Sequence, residues 1–185
     1  MKTPPFIEQT ELPGLMIFYP HRAQDDRGWF RKIYQMDFLK SNGWDFNLAE
    51  TYHHKTKKGV IRGLDFSLSP DDKKMIYCAH GQAMAVFVYI ANGEHQGKHK
   101  AIELNGDDPK IVLVSNGFCT SAFAKTDIIM VNSSCLAYQP SINLKINPYD
   151  PDLAIEWPAH ASTPPPIQGY ISFAQAKAII PKRGF

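Results

Sequence analysis

Apolar residues in the middle of this chain come in short runs, not at helical spacing. Met75-Ile76-Tyr77, Ala85 to Ile90, Ile111 to Val114 and Ile128 to Val131 are rich in β-branched and aromatic residues. Each is too short for a typical helix and has the composition of a strand. Four Asn-Gly pairs punctuate the chain, at Asn42-Gly43, Asn92-Gly93, Asn105-Gly106 and Asn116-Gly117. They predict type I′ turns, in which both central residues take positive φ. Short strands separated by turns in this way predict an all-β sandwich or closed barrel. Two short peripheral helices are predicted: Met36 to Ser41, ended by Asn42-Gly43, and Ser172 to Ala178, opened by Ser172 as its cap. No βαβ alternation and no long repeat occurs. The four prolines between Pro158 and Pro166 predict an extended loop and not a linker, so residues 1–185 are expected to form a single domain.

Composition narrows the class. With 44% hydrophobic and 21% charged residues, a chain of 185 residues can bury a sizeable core. A formal net charge of +2, with no basic block beyond His53 to Lys58, leads us to expect neither a nucleic-acid nor a membrane partner. The longest apolar run, Ala83 to Ala91, is too short to cross a bilayer, and Met1 to Pro5 opens no signal-peptide core. The three cysteines, Cys78, Cys119 and Cys135, contain no close pair. Neither a disulfide framework nor a zinc ribbon follows, and a cytoplasmic protein with reduced thiols is expected.

Several stretches, in order and over nearly the whole chain, resemble one family. Asp26-Arg27-Gly28-Trp29-Phe30 is similar to its Arg-Gly-x-Phe element, and Lys58 to Asp65 to its Gly-Val-Leu-Arg-Gly-Leu-His signature. Lys74-Met75-Ile76 with Gly81, Asn116 to Thr120, Tyr138-x-Pro140 and Asp150 to Pro158 match further elements. The family is that of the dTDP-4-dehydrorhamnose 3,5-epimerases. The resemblance implies a cupin-like jelly roll, a homodimer, no metal or other cofactor, and a nucleotide-diphosphate sugar bound inside the barrel, in deoxysugar or polysaccharide biosynthesis.

Epimerisation beside a ketone needs a base on one face, stabilisation of the enolate, and a proton donor on the other face. In the family a His held by an Asp is the base and a Tyr the donor. Here the base position is Asp65, the orienting acid aligns with Gln175 and the donor with Asn132; Thr120 replaces a further His. Asp65 is the candidate base, with Lys74 stabilising the enolate and Tyr138 donating a proton. The competing role for Asp65 is a salt bridge to Arg62 or Lys74. Arg62 and Lys74 match residues that grip the diphosphate, as two cations suit a dianion. Arg27 and Phe30 match the element that reaches the nucleotide, and Phe30 or Tyr138 offers a stacking surface. Glu50 and Tyr52 stand where the family has Gln and Asn, Lys32 where it has Glu, and Tyr89-Ile90-Ala91 where it has Asp-x-Arg. The nucleotide base is thereby left open. Thr120, Asn132, Glu50 and Tyr52 complete the expected substrate-binding set.

Two functions remain: an isomerase with altered acid and base groups, acting on a 4-keto-6-deoxy nucleotide sugar, and a non-catalytic sugar-nucleotide-binding or scaffold protein. A metal-dependent cupin would draw on His53, His54, His95 and His99, but the usual His-x-His pattern followed by Glu is absent. No triad-like or nucleophile-elbow motif occurs.

Overall fold

The computed structural model describes residues 3–107, 110–162 and 169–180. Fourteen strands are formed: β1 (Phe6–Gln9), β2 (Leu15–Tyr19), β3 (Arg22–Asp25), β4 (Gly28–Arg31), β5 (Glu50–Thr56), β6 (Ile61–Ser67), β7 (Lys74–His80), β8 (Gln82–Tyr89), β9 (His99–Asn105), β10 (Ile111–Val114), β11 (Phe118–Ala124), β12 (Ile128–Ser134), β13 (Asn143–Ile146) and β14 (Tyr170–Ile171). Two helices accompany them, α1 (Met36–Ser41) and α2 (Phe173–Ile179). One six-stranded sheet has the order β1-β2-β10-β7-β12-β5 and the other β14-β13-β6-β11-β8-β9. The architecture is the all-β, cupin-like jelly roll that the strand pattern and the resemblance predict. No helix of the described residues is long and apolar enough to cross a membrane.

The apolar runs form strands because both of their faces have somewhere to go. On β8, Ala83, Ala85 and Phe87 point into an apolar layer between the sheets, where they meet Ile17, Ile76, Val112, Ile128 and Met130. The intervening Val86 and Val88 point outward against the C-terminal segment, with Phe66, Leu153, Phe173 and Ala176. A strand buried on both faces reads as a continuous apolar run, which is why period-2 alternation is missing there. The outer face of the first sheet is covered by α1 and the residues after it, through Leu39, Trp44 and Phe46.

The predicted helices are present. Ser172 caps α2 by accepting from Gln175 N–H, while Gln175 returns a bond to Ser172 N–H, a complete capping box. The type I′ prediction is not met. Gly43, Gly93 and Gly117 take positive φ, but among the described residues the only other residue type to do so is Ala154. The reason is topological. Asn105-Gly106 and Asn116-Gly117 lead from one sheet to the other, Asn42-Gly43 ends α1, and Asn92-Gly93 sits in a longer connection. None joins two paired strands by a two-residue loop, the setting that selects type I′. The Pro158–Pro166 loop runs as far as Ser162, which bridges to Val60; the remainder lies outside the described residues.

One glycine is fixed by close approach. Gly63, at φ +110°, lies in β6 where a Cβ atom would come within 2.8 Å of Ser121 Cα. Gly63→Ala is expected to cost about 2–4 kcal/mol, from the backbone conformation and the clash together. Chemical denaturation of the variant against the parent measures it.

Candidate functional site

The apolar layer between the sheets stops short of one end of the sandwich. Ile76, Phe87, Ala122 and Met130 form its last tier and also the floor of a cavity of about 790 Å³. Beyond that floor the inward positions turn polar. The first sheet contributes Glu50, Tyr52 and His54 from β5, Lys74 from β7, and Asn132 and Ser134 from β12. The second contributes Arg62, Asp65 and Ser67 from β6, Thr120 from β11, Lys145 from β13 and Tyr170 from β14.

Two of the cations are tied down. Lys74 Nζ lies 3.3 Å from Asp72 Oδ2, a pair whose side chains are only 15% and 8% exposed. Ser134 Oγ donates to the other Asp72 oxygen at 3.1 Å. Arg62 is steadied by its Nε donating to Thr56 Oγ1 at 2.9 Å and by a 3.4 Å bond to Lys55 O. The third cation, Lys145, has its ammonium 5.9 Å from the centre of the Tyr170 ring.

Asp65 differs from Asp72. Its ladder neighbours are Thr120 on β11 and Lys145 on β13. Its carboxylate nevertheless forms no ion pair and no hydrogen bond among the described residues. Desolvation by the cavity walls raises its proton affinity above that of an ordinary carboxylate, against the opposing pull of Lys145, Lys74 and Arg62, although the residue remains open to the cavity. His54 is pushed the other way, by burial and then by Arg62 and His53, so it stays neutral at neutral pH. Tyr52 is raised to about 12, by burial first and then by the charges of Asp65, Glu50 and Asp72.

The cavity gathers Asp65, Lys74, Tyr138, Glu50, Tyr52, Arg62, Thr120 and Asn132. Tyr138 is at the mouth, 66% exposed, its backbone N–H donating to Glu50 Oε2 at 3.0 Å. Arg27 and Phe30 are elsewhere. They lie on the separate β3–β4 ribbon, with Arg27 paired to Asp25 in solvent and Phe30 58% exposed. This hairpin pairs with neither large sheet, so it carries both residues away from their own chain's cavity. The competing role for Asp65 is also corrected: Lys74 is taken by Asp72, and Arg62 is held by Thr56. Gln175 is engaged in the α2 capping box and does not line the cavity.

Sequence reasoning missed Lys145 and Tyr170 as site residues. Asn143-Leu144-Lys145-Ile146 alternates, with Asn143 and Lys145 at the cavity and Leu144 and Ile146 in the outer apolar cluster. That period-2 signal is legible in four residues once the strand is known. His54, weighed only as a metal ligand, lines the cavity. Among the described residues no three His, Cys, Asp or Glu side chains cluster to hold a metal ion.

A family model for dTDP-4-dehydrorhamnose 3,5-epimerase matches residues 9–174. The chain belongs to the dTDP-4-dehydrorhamnose 3,5-epimerase family. The chain is 26% identical over 152 residues to the dTDP-4-dehydrorhamnose 3,5-epimerase of Methanothermobacter thermautotrophicus, covering 81% of this chain and 82% of that one. It is 32% identical over 139 residues to the Streptomyces griseus enzyme of the same name, covering 72% and 68%. A crystal structure of dTDP-6-deoxy-D-glucose-3,5-epimerase from Legionella pneumophila, in complex with dTDP-4-keto-L-rhamnose, superposes with TM-score 0.88. That match covers 95% of this chain and 96% of that one at 22% identity, and shows the shared fold.

A carboxyl whose folded proton affinity is raised destabilises the fold while it is ionised. The cost is present above the raised value and disappears as the pH falls below the unfolded one. Asp65→Asn is therefore expected to melt at a higher temperature than the parent at neutral pH. The gap should close as the pH is lowered through the carboxylate range, and a pH series of thermal melts checks it.

Proposed function

We propose that this chain is an isomerase that inverts a carbon beside the ketone of a 4-keto-6-deoxy nucleotide sugar. Asp65 is the base, and Lys74 and Lys145 hold the enolate oxygen. The observation that carries this is the Asp65 carboxylate: open to the cavity, without an ion pair or hydrogen bond among the described residues, and set among three cations. The cations have work at two centres, since a diphosphate needs neutralising and an enolate needs a nearby positive charge. Arg62 is placed for the first task. The family relatives' dTDP sugars support the substrate class.

The substitutions at the acid/base positions cohere on this reading. A histidine base needs a partner to fix its tautomer, whereas a carboxylate has no tautomer to fix. Once Asp65 occupies the base position, Gln175 is released to cap its helix. Glu50, Tyr52, Thr120 and Asn132 remain as substrate contacts, with Tyr138 at the mouth as a lid for base or sugar. The whole chain is read as one unit, supported by the apolar layer that both sheets share. The homodimer implied by the resemblance is supported by the β3–β4 ribbon. Trp29 and Phe30 are 43% and 58% exposed there, and Arg27 and Phe30 meet a sugar nucleotide only if the ribbon reaches a second copy. Three thiols without disulfide partners support a reducing, cytoplasmic setting.

The test is incubation with the 4-keto-6-deoxy form of dTDP-glucose in deuterium oxide, followed by the CDP and GDP forms, with C3 and C5 observed by proton NMR. Deuterium is expected at one or both carbons, and Asp65→Asn should reduce its entry by roughly 10²-fold or more. Binding without exchange for all three nucleotides would sink the enzymatic role and leave a sugar-nucleotide receptor. Because the base must be ionised, turnover should fall as the pH drops through the Asp65 value. That acid limb should lie above the position of an ordinary aspartate, as a pH profile of the exchange rate would show.

A further inference from the structure

Inversion requires that a proton leave one face of the substrate carbon and another arrive on the opposite face. Asp65 projects from the second sheet, so an acid that completes inversion belongs on the first. Among the described residues three phenols line the cavity: Tyr52, Tyr138 and Tyr170. Tyr170 stands on the same sheet as Asp65, in a lateral row in which Lys145 separates the two. Tyr138 is at the mouth, outside both sheets, and 66% exposed against 46% for Tyr52. Tyr52 alone rises from the first sheet, on β5, directly beside Asn132 in the ladder. The other ionisable groups of that wall are committed or unsuited. Lys74 is paired with Asp72, Glu50 accepts from the Tyr138 backbone, and His54 shares a 3.1 Å bond with Thr56 and is held neutral, with little proton to give. Asn132 has no acidic proton.

Resting on the isomerase reading above, we propose that Tyr52 is the proton donor of the inversion, facing Asp65 across the cavity. Asp65 takes the proton from the carbon beside the ketone. The C–H electron pair becomes the enolate C=C bond, and the ketone π pair moves to oxygen, beside the lysines. Tyr52 then gives its hydroxyl proton to the opposite face of that carbon. The C=C pair forms the new C–H bond, the carbonyl reforms, and a phenolate and a protonated Asp65 remain. Solvent in the open cavity returns a proton to one and removes it from the other, so the cycle closes with no net change in oxidation state. The field of Asp65, Glu50 and Asp72, together with burial, keeps Tyr52 protonated across the neutral range until an enolate carbon, a much stronger base, takes the proton. The same field penalises the phenolate while Asp65 is ionised, and the penalty eases once Asp65 has taken its proton.

Tyr52→Phe in deuterium oxide tests this, because it keeps the ring and removes only the acid. Inverted product is expected to fall roughly 10²- to 10⁴-fold. Deuterium should still enter, returned by Asp65 to the face it left. The loss should lie mainly in kcat, with a much smaller change in KM, because the ring that meets the substrate is kept. Inversion at the parental rate in Tyr52→Phe would overturn the assignment, as would its loss in Tyr170→Phe or Tyr138→Phe with Tyr52→Phe intact. A parent chain that neither exchanges nor inverts any of the three nucleotide sugars would overturn the isomerase reading itself, and the donor with it.

Discussion

The apolar layer between the two sheets carries this structure, and its extent decides where a site can exist. Residues such as Phe87, Val112, Ile128 and Met130 pack together between the sheets at one end. Burial of this kind contributes about 25 cal/mol for each Å² of apolar surface removed from water, and it holds the two walls at a fixed separation. Where the inward residues change from apolar to polar, the walls stay apart with nothing to fill the gap. The floor formed by Ile76, Phe87, Ala122 and Met130 is the same set of side chains seen from the other side.

Inside that gap the charges differ in burial: Asp72 is buried, whereas Arg62, Asp65 and Lys145 are open to the cavity. Asp72 shows the ordinary resolution of a buried carboxylate, paired with Lys74 and bonded by Ser134. Asp65, on the sheet opposite Lys74 and open to the cavity, has no ion pair or hydrogen bond among the described residues. On the isomerase reading, one acid positions a cation and the other is the base, as when like groups in unlike environments take different roles.

The fold holds two opposed walls with cations between them. On the isomerase reading, a base on one wall at Asp65 calls for an acid on the other. Tyr52 and Asn132 are neighbours across a single ladder step, so a phenol carried by β5 reaches the space beside one carried by β12.

The linear sequence determined the most apolar strands, both helices, the Ser172 cap and a third of the cavity's lining residues, because strand composition, capping residues and family motifs are local patterns. It left the Asn-Gly turns misassigned, since turn type depends on loop length and on whether the flanking strands pair: two cross between sheets, one ends a helix and one sits in a long loop. It named Arg27 and Phe30 as nucleotide contacts on motif order, and the structure adds that they sit on a ribbon outside this chain's own cavity. Lys145 and Tyr170 could not be found without the β6-β13-β14 row that sets them beside Asp65. Above all, the partner of a charge is a matter of a few ångströms between distant segments. That Lys74 joins Asp72 and leaves Asp65 alone was decided only by the tertiary structure, because the Coulomb and desolvation energies that set a carboxylate's role depend on distance and burial, neither of which is written in residue order.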